Sequence, residues 1–364
     1  MPVLEKLTIA DFRNITLEEL QFSPNVNCIV GGNGEGKTNL LDAIFYLSMV
    51  KSFLGLQDRY NIRYGCQGFT LCGHYALESG LSTKIALQAN GSEKTLRRDD
   101  KPYKRLSAHI GLLPIVTVSP ADNALVSDSG EERRRFANIV LSQMDPAYMA
   151  ALQQYGKLLQ QRNRMLKEQA IDYGLLEVLD MQLAVHAAPI YEGRLNLARQ
   201  LSPVVADYYS QLSDGKEEVS IRYQSELGEM PLKDLLLKNR ERDLQLRYTG
   251  CGVQRDDFSF EMSGQPIRRC GSQGQQKTFL VALKFAQYEL MKRRGGIPPT
   301  LLLDDVFDKL DLQRTSQLIA MVAKEDFGQI FITDCNSSRL QPLVDNATAD
   351  RAYFQAEGGR FSIL

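Results

Sequence analysis

Residues 31–38 read GGNGEGKT, the G-x-x-x-x-G-K-[ST] spacing of a loop that wraps nucleotide phosphates in its own backbone amides. Gly31, Gly34 and Gly36 let the chain approach the phosphates, Lys37 reaches toward the β and γ oxygens, and Thr38 offers a hydroxyl to Mg²⁺. Gly32, Asn33, Glu35 and Asn39 complete the candidate cradle. A second stretch, Leu301-Leu302-Leu303-Asp304-Asp305, is an apolar strand ending in two carboxylates, hard oxygen ligands suited to Mg²⁺ and to orienting a water. Asp304 is expected to hold the metal with Thr38, and Asp305 to orient or polarise the attacking water. Lys37, Asp304 and Asp305 are thus the candidate catalytic set. A third stretch, Gly271-Ser272-Gln273-Gly274-Gln275-Gln276-Lys277, opens a helix with serine and glycine, able to cap it or to take an anion on its free amides.

These residues need elements to aim them. Residues 26–30 form a short apolar strand, and 38–49 carry Leu40, Leu41, Ile44, Phe45 and Leu47, so strand, glycine loop and helix follow in order. The helix dipole adds to the anion site. Residues 4–10 and 25–30 are expected as strands, 69–76, 84–89 and 94–97 as hairpins, and 114–118 as a strand before a Ser-Pro turn. From 126 to 247 the pattern is mostly helical, with Tyr148, Leu152, Tyr155, Leu159 and Leu166 at helical spacing, a long segment at 175–212 and a strand near 216–223. After residue 250 the α/β character returns, with a strand at 258–262, a helix at 273–293 and a buried strand at 300–303. The expected architecture is an α/β lobe made of residues 1–125 and 248–364, interrupted by a compact helical arm of residues 126–247.

The chain has 364 residues, enough for two lobes, and a formal net charge of −1. Any nucleic-acid surface is therefore a local patch. Six cysteines lack a C-x-x-C pair and the three histidines are not near them at metal-ligand spacing, so reduced thiols without zinc are expected. No apolar run approaches the ~18 residues of a membrane span, and the acidic start MPVLEKLTIADF lacks a signal-peptide core. A cytoplasmic protein is expected.

The SQGQQ stretch resembles the signature motif of ATP-binding-cassette ATPases, followed here by a Walker B strand and Lys309-Leu310-Asp311. Within that class, several stretches resemble the RecF family of bacterial recombinational-repair ATPases. They are Phe12-Arg13-Asn14, GGNGEGKTNLLDAI, Lys51-Ser52-Phe53, the Ser-Pro-x-Asp turn at 119–122, Arg133-Arg134-Arg135-Phe136, Gln161-Arg162-Asn163, Arg255-Asp256-Asp257 and GSQGQQKT. The sequence departs from that family at Val253-Gln254, where Pro-His is usual. It departs from cassette ATPases after residues 329–333, where Asp334 follows in place of a switch histidine, making Asp334 or Thr333 the candidate γ-phosphate sensor. No Q-loop glutamine is evident near Ser119.

The resemblance implies an ABC-type ATPase lobe, related to the Rad50 and SMC heads, with an inserted helical lobe, using ATP and Mg²⁺. It implies an ATP-dependent homodimer in which Ser272, Gly274 and Gln275 of one subunit meet the nucleotide of the other, Arg13 makes a further nucleotide contact, and Asp311 communicates between sites. It also implies weak, DNA-stimulated hydrolysis, binding to gapped, junction or double-stranded DNA, and work with RecR, RecO and indirectly RecA. Candidate phosphate contacts on DNA are Lys104, Arg105, Arg133, Arg134 and Arg162, with Arg97, Arg98, Arg164 and Lys167 as further basic positions; the Arg133–Arg135 run could equally anchor the lobes. The rival readings are the head of a DNA-end-processing or chromosome-organising complex, a transporter subunit, or a small-molecule kinase.

Overall fold

The computed structural model describes residues 2–77, 80–91, 93–213, 215, 217–306, 312–322 and 327–364. These fall into two units, Met1–Asn123 with Gln287–Leu364, and Ala124–Ala286.

In the first unit Val3–Phe12 (β1) turns at Arg13 and Asn14 into Ile15–Gln21 (β2), a hairpin closed by the Phe12–Ile15 pair. Val26–Val30 (β3) is buried at every position, as a strand inside a parallel sheet must be. Lys37–Met49 (α1) follows the glycine loop and is almost wholly buried, the mark of a helix enclosed on all sides. Phe69–Ala76 (β4), Ser82–Ala89 (β5), Lys94–Arg98 (β6) and Lys101–Pro102 (β7) extend the first hairpin into one antiparallel sheet, in the order β2-β1-β4-β5-β6-β7. Its alternating burial shows one covered face and one solvated face. Ile115–Val118 (β8) belongs to the other sheet.

The second unit begins with Ala124–Ser127 (α2), Gly130–Met144 (α3), Pro146–Met165 (α4) and the 41-residue Tyr173–Ser213 (α5). Asp145 starts α4 cleanly, its carboxylate accepting from the amides of Ala147 and Tyr148 just ahead of Pro146 at the first helical position. Val219–Gln224 (β9), Leu232–Lys238 (α6), Arg240–Leu246 (α7), Asp257–Met262 (β10), Gln265–Pro266 (β11) and Ile267–Cys270 (α8) follow. Gln273–Gly295 (α9) leads back to the first unit.

There Thr300–Leu303 (β12), Leu312–Val322 (α10), Ile330–Asp334 (β13), Ser337–Ala347 (α11), Arg351–Glu357 (β14) and Arg360–Ile363 (β15) complete a sheet ordered β15-β14-β3-β13-β12-β8, parallel except for β15. Gln329, fully buried, fastens the two sheets of this unit: its amide nitrogen donates to Leu4 O and its carbonyl accepts from Leu4 N, both at 2.8 Å.

The return to the α/β unit comes at Gln287, not at residue 248. The strand expected near 258–262 pairs with β9 along six residues, from Asp257–Gln224 to Met262–Val219, so strand pairing holds residues 257–262 in the second unit. Buried arginines do the same for the arm's motifs. Arg162 is 0% exposed; its Nε donates to Asp180 at 2.6 Å and its Nη1 to Asp243 at 2.7 Å and Thr249 Oγ1 at 2.9 Å. Arg133 makes a forked pair with Asp257 at 2.8 and 3.0 Å, and Arg134 donates to Asp256 O at 2.7 Å. Arg194 donates to Val253 O at 2.5 Å, while Gln254 accepts from Tyr155 OH.

Truncating one partner of such a pair leaves an uncompensated buried charge. Arg162→Leu, which strands Asp243 and leaves Asp180 only Arg240 at 3.6 Å, is expected to lower stability by about 3–5 kcal/mol in urea unfolding; a loss below about 1 kcal/mol, within the range of exposed pairs, would contradict the buried-network assignment.

Candidate nucleotide site

Strand register assembles the site. β3, β13 and β12 are adjacent and parallel, with Val30 opposite Asp334 and Ile332 opposite Leu303. Their carboxyl ends therefore stop side by side, presenting the glycine loop, Thr333 to Cys335, and Asp304 to one crevice, where ligands bind in open α/β sheets. Gly34 and Gly36 adopt φ of 84° and 106°, and Gly36 caps α1, whose first-turn amides open toward the loop.

Lys37 is 3% exposed, and its Nζ donates to Gly31 O and Gly32 O at 2.9 Å each and to Cys335 Sγ at 3.4 Å. Thr38 Oγ1 donates to Asp304 at 2.9 and 3.0 Å, and Thr333 Oγ1 donates to the same carboxylate at 2.8 Å. Burial pushes the Asp304 carboxyl up from its ordinary 3.8 to about 6, the neighbouring Asp305 adds to this, and the two hydroxyls and Lys37 oppose it. Asp305 follows in the left-handed region at φ 45°, its amide held by Thr333 Oγ1 at 2.9 Å. A buried carboxylate beside a threonine hydroxyl is the hard-oxygen pair that suits Mg²⁺, which takes few protein ligands and completes its shell with water and phosphate oxygens.

Sequence reasoning made Asp334 or Thr333 the candidate γ-phosphate sensor. Thr333 instead lies beneath Asp304, and the Asp334 carboxylate turns to Arg339 at 2.7 Å and Asn336 N at 2.8 Å. The side chain at this strand end that faces the loop is Cys335, whose Sγ donates to Asn33 Oδ1 at 2.9 Å. No motif marks it; only its place after the strand could have found it. Glu35 turns away from the crevice toward Gly358 and Gly359.

Arg13 is drawn into the protein: its guanidinium bonds to Asp42, Asn39 at 2.9 Å, Ser52 at 3.1 Å and Asn61 at 2.9 Å. Burial pushes the Asp42 carboxyl up despite Arg13, so this pair fixes the first turns of α1 at an electrostatic cost. In the second unit Ser272 and Gln275 form a reciprocal capping box, Gln275 N to Ser272 Oγ at 3.3 Å and Ser272 N to Gln275 Oε1 at 2.8 Å, with Gly274 exposed between them. The serine accepts there, which leaves its own proton for another acceptor. Asp311 lies outside the described residues, as do Lys309 and Leu310.

Of the basic candidates, Arg162 and Arg133 are enclosed, at 0% and 5% exposure, and their charges are spent on Asp180, Asp243 and Asp257. Both are core ion pairs and not the surface contacts their charge suggested, and Arg134 is half-occupied by the Asp256 carbonyl. Lys104 and Arg105 are exposed, as is Arg97, and their side chains make no hydrogen bond or ion pair among the described residues.

The raised Asp304 pKa has a stability consequence. The folded state prefers the protonated acid, so the group's contribution is full below about pH 4 and is lost as pH rises through about 6, a swing on the order of 3 kcal/mol. Asp304→Asn does not ionise; it is expected to unfold at a higher temperature than the parent at pH 8, with the gap closing near pH 4. A variant no more stable than the parent at pH 8 would refute this.

Residues 3–62 match the family model described as the RecF/RecN/SMC N terminal domain. The sequence is 43% identical over 357 residues to the DNA replication and repair protein RecF of Parabacteroides distasonis, covering 98% of each chain. It is 43% identical over 360 residues to the protein of that name from Porphyromonas gingivalis, covering 98% of this chain and 99% of the relative. A solved structure described as the recombination mediator protein RecF-ATP in the RecFOR pathway is similar over 100% of this chain and 98% of its own, with a TM-score of 0.91 and 29% identity. The Smc head domain of Pyrococcus furiosus shares the fold, with a TM-score of 0.58 at 15% identity over 100% of this chain and 96% of its own. The architecture is that of an ABC-type ATPase head, and the chain belongs to the RecF family.

Proposed function

We propose that this protein is an ATP-dependent DNA-binding mediator of recombinational repair, in which ATP closes a homodimer and slow, DNA-stimulated hydrolysis reopens it. The observation that carries the reading is the convergence of Lys37, Thr38 and Asp304: the threonine and the aspartate lie 266 positions apart in sequence and bond directly. The RecF relatives supply the biological setting.

ATP would place its β and γ phosphates against the amides of residues 31–38, with Lys37 exchanging its carbonyl partners for phosphate oxygens. Mg²⁺, held by Thr38 and Asp304, would neutralise charge developing on the transferred group. Asp305 polarises the attacking water, whose oxygen forms the new bond to phosphorus as the bond to the ADP oxygen breaks. Ser272 and Gly274 of the second subunit meet the γ-phosphate from the far side, on the dipole of α9. ATP thereby binds the closed dimer better than the open one, and loss of the γ-phosphate removes that difference. RecR, RecO and, indirectly, RecA are the partners this reading calls for. DNA phosphates are met by exposed cations, of which Lys104, Arg105 and Arg97 are the best placed.

The deciding experiment measures ATP hydrolysis and dimerisation with and without gapped DNA. Lys37→Arg should lower kcat by about 100-fold or more, in the range set by loss of transition-state charge stabilisation. Ser272→Arg should still bind ATP yet fail to dimerise; ATP-dependent dimers of that variant would sink the shared-site arrangement. Reversing Lys104 and Arg105 together to Glu should weaken DNA binding and flatten the slope of log affinity against log salt by about 2. An unchanged slope would remove them from the DNA surface.

A further inference from the structure

The outward side of the phosphate loop is held by two turns from opposite ends of the first unit. In the turn between β14 and β15, Gly359 N–H donates to Glu35 O at 2.9 Å and Gly358 N–H donates to the Glu35 carboxylate. Both glycines are left-handed, at φ 57° and 81°, which is how two successive amides come to face one residue. On the other flank, Asn14 of the β1–β2 turn accepts from Asn39 Nδ2 at 2.7 Å and lies so close to Gly36 that an added Cβ there would stand 2.9 Å from its side chain. The two turns also touch each other, since a Cβ on Gly359 would overlap the Asn14 carbonyl. Behind the start of the loop, Ala356 of β14 leaves no room for a side chain at Gly31. Register accounts for this, because β14 runs parallel beside β3 with Gln355 opposite Val30, so its continuation tracks the loop.

A loop whose amides point inward at phosphates must satisfy its outward groups elsewhere and keep its shape while empty. Glu35 belongs to the phosphate-loop motif, yet both its carbonyl and its carboxylate serve the hairpin. We propose that the Gly358-Gly359 turn, with Asn14, is a positioning element of the nucleotide site: it sets the shape of residues 31–36 before nucleotide arrives, and nucleotide in turn steadies the hairpin. This rests on the reading of residues 31–38 as the ATP site. The coupling is reciprocal by linkage, so it is visible from either end.

Gly359→Ala keeps the amide donor but drives a methyl group into Asn14. Gly65→Ala, at φ 85° with nothing within 4 Å of the new Cβ, carries the same backbone strain in the same unit and serves as the control. In the full chain, Gly359→Ala should bind a fluorescent ATP analogue with Mg²⁺ about tenfold more weakly than the parent, while Gly65→Ala binds as the parent does. Glu35→Ala should weaken binding several-fold, and Glu35→Gln, which keeps an oxygen for Gly358, should restore most of it. Saturating ATP should slow amide hydrogen exchange at Gly358 and Gly359 in the parent. Parental affinity in Gly359→Ala, or hairpin exchange unmoved by ATP, overturns the inference while leaving the ATP site standing. A parent that binds no ATP overturns both. If Gly359→Ala does not fold, the Glu35 pair and the exchange measurement decide.

Discussion

The Asp304 carboxylate is the point on which the site depends. It accepts from Thr38 at the start of α1 and from Thr333 at the end of β13, so one buried anion joins the phosphate loop to two neighbouring strands. Burial disfavours its charge, and the two hydroxyls and nearby Lys37 compensate only in part. An anion kept in that condition gains from a cation, which is the electrostatic sense of placing it where the proposed reading puts Mg²⁺. The hydrogen bonds that hold it are short-range and directional, so the strand register on either side has little freedom to slip without breaking them.

The second unit follows the same rule with opposite sign. Arg162, Arg133 and Arg194 are buried cations, each surrounded by carboxylates or carbonyls drawn from distant parts of the arm. Ion pairs of this kind add modest net stability against an apolar core of equal volume, but they are intolerant of misplacement, because a slipped register strands a charge. The arm's sequence motifs therefore mark its internal joints. Arg133 and Arg134 join α3 to the start of β10 through Asp257 and the Asp256 carbonyl, with both partners inside the second unit.

Much of this was legible in the sequence where the information is local. The phosphate loop lies in eight consecutive residues, and the strand before it and the helix after it follow from apolar spacing alone; β4, α5 and β12 likewise fall close to where periodicity put them. The β14–β15 hairpin was not anticipated, although Gly358-Gly359 is a turn signal, because its flanking strands mix Arg, Gln and Glu with apolar residues and take their identity from pairing with β3. The return from the arm was placed too early for a related reason. Residues 257–262 have a strand pattern that suits either unit, and only the partner strand β9 decides between them.

The sequence by itself determined the chemistry on offer: a loop shaped for phosphates, carboxylates for a hard cation, and a serine-capped helix start. Each follows from residue types at fixed short spacing, and so from covalent connectivity and local backbone geometry. Tertiary structure alone decided what each charge is for. Arg162 and Lys104 are equally basic in sequence, yet one is sealed among Asp180, Asp243 and Thr249 while the other stays in solvent. Cys335, and not Asp334 or Thr333, faces Lys37 because the end of β13 stops beside the end of β3. Burial and facing are set by partners tens to hundreds of residues away, and no short window of sequence contains them.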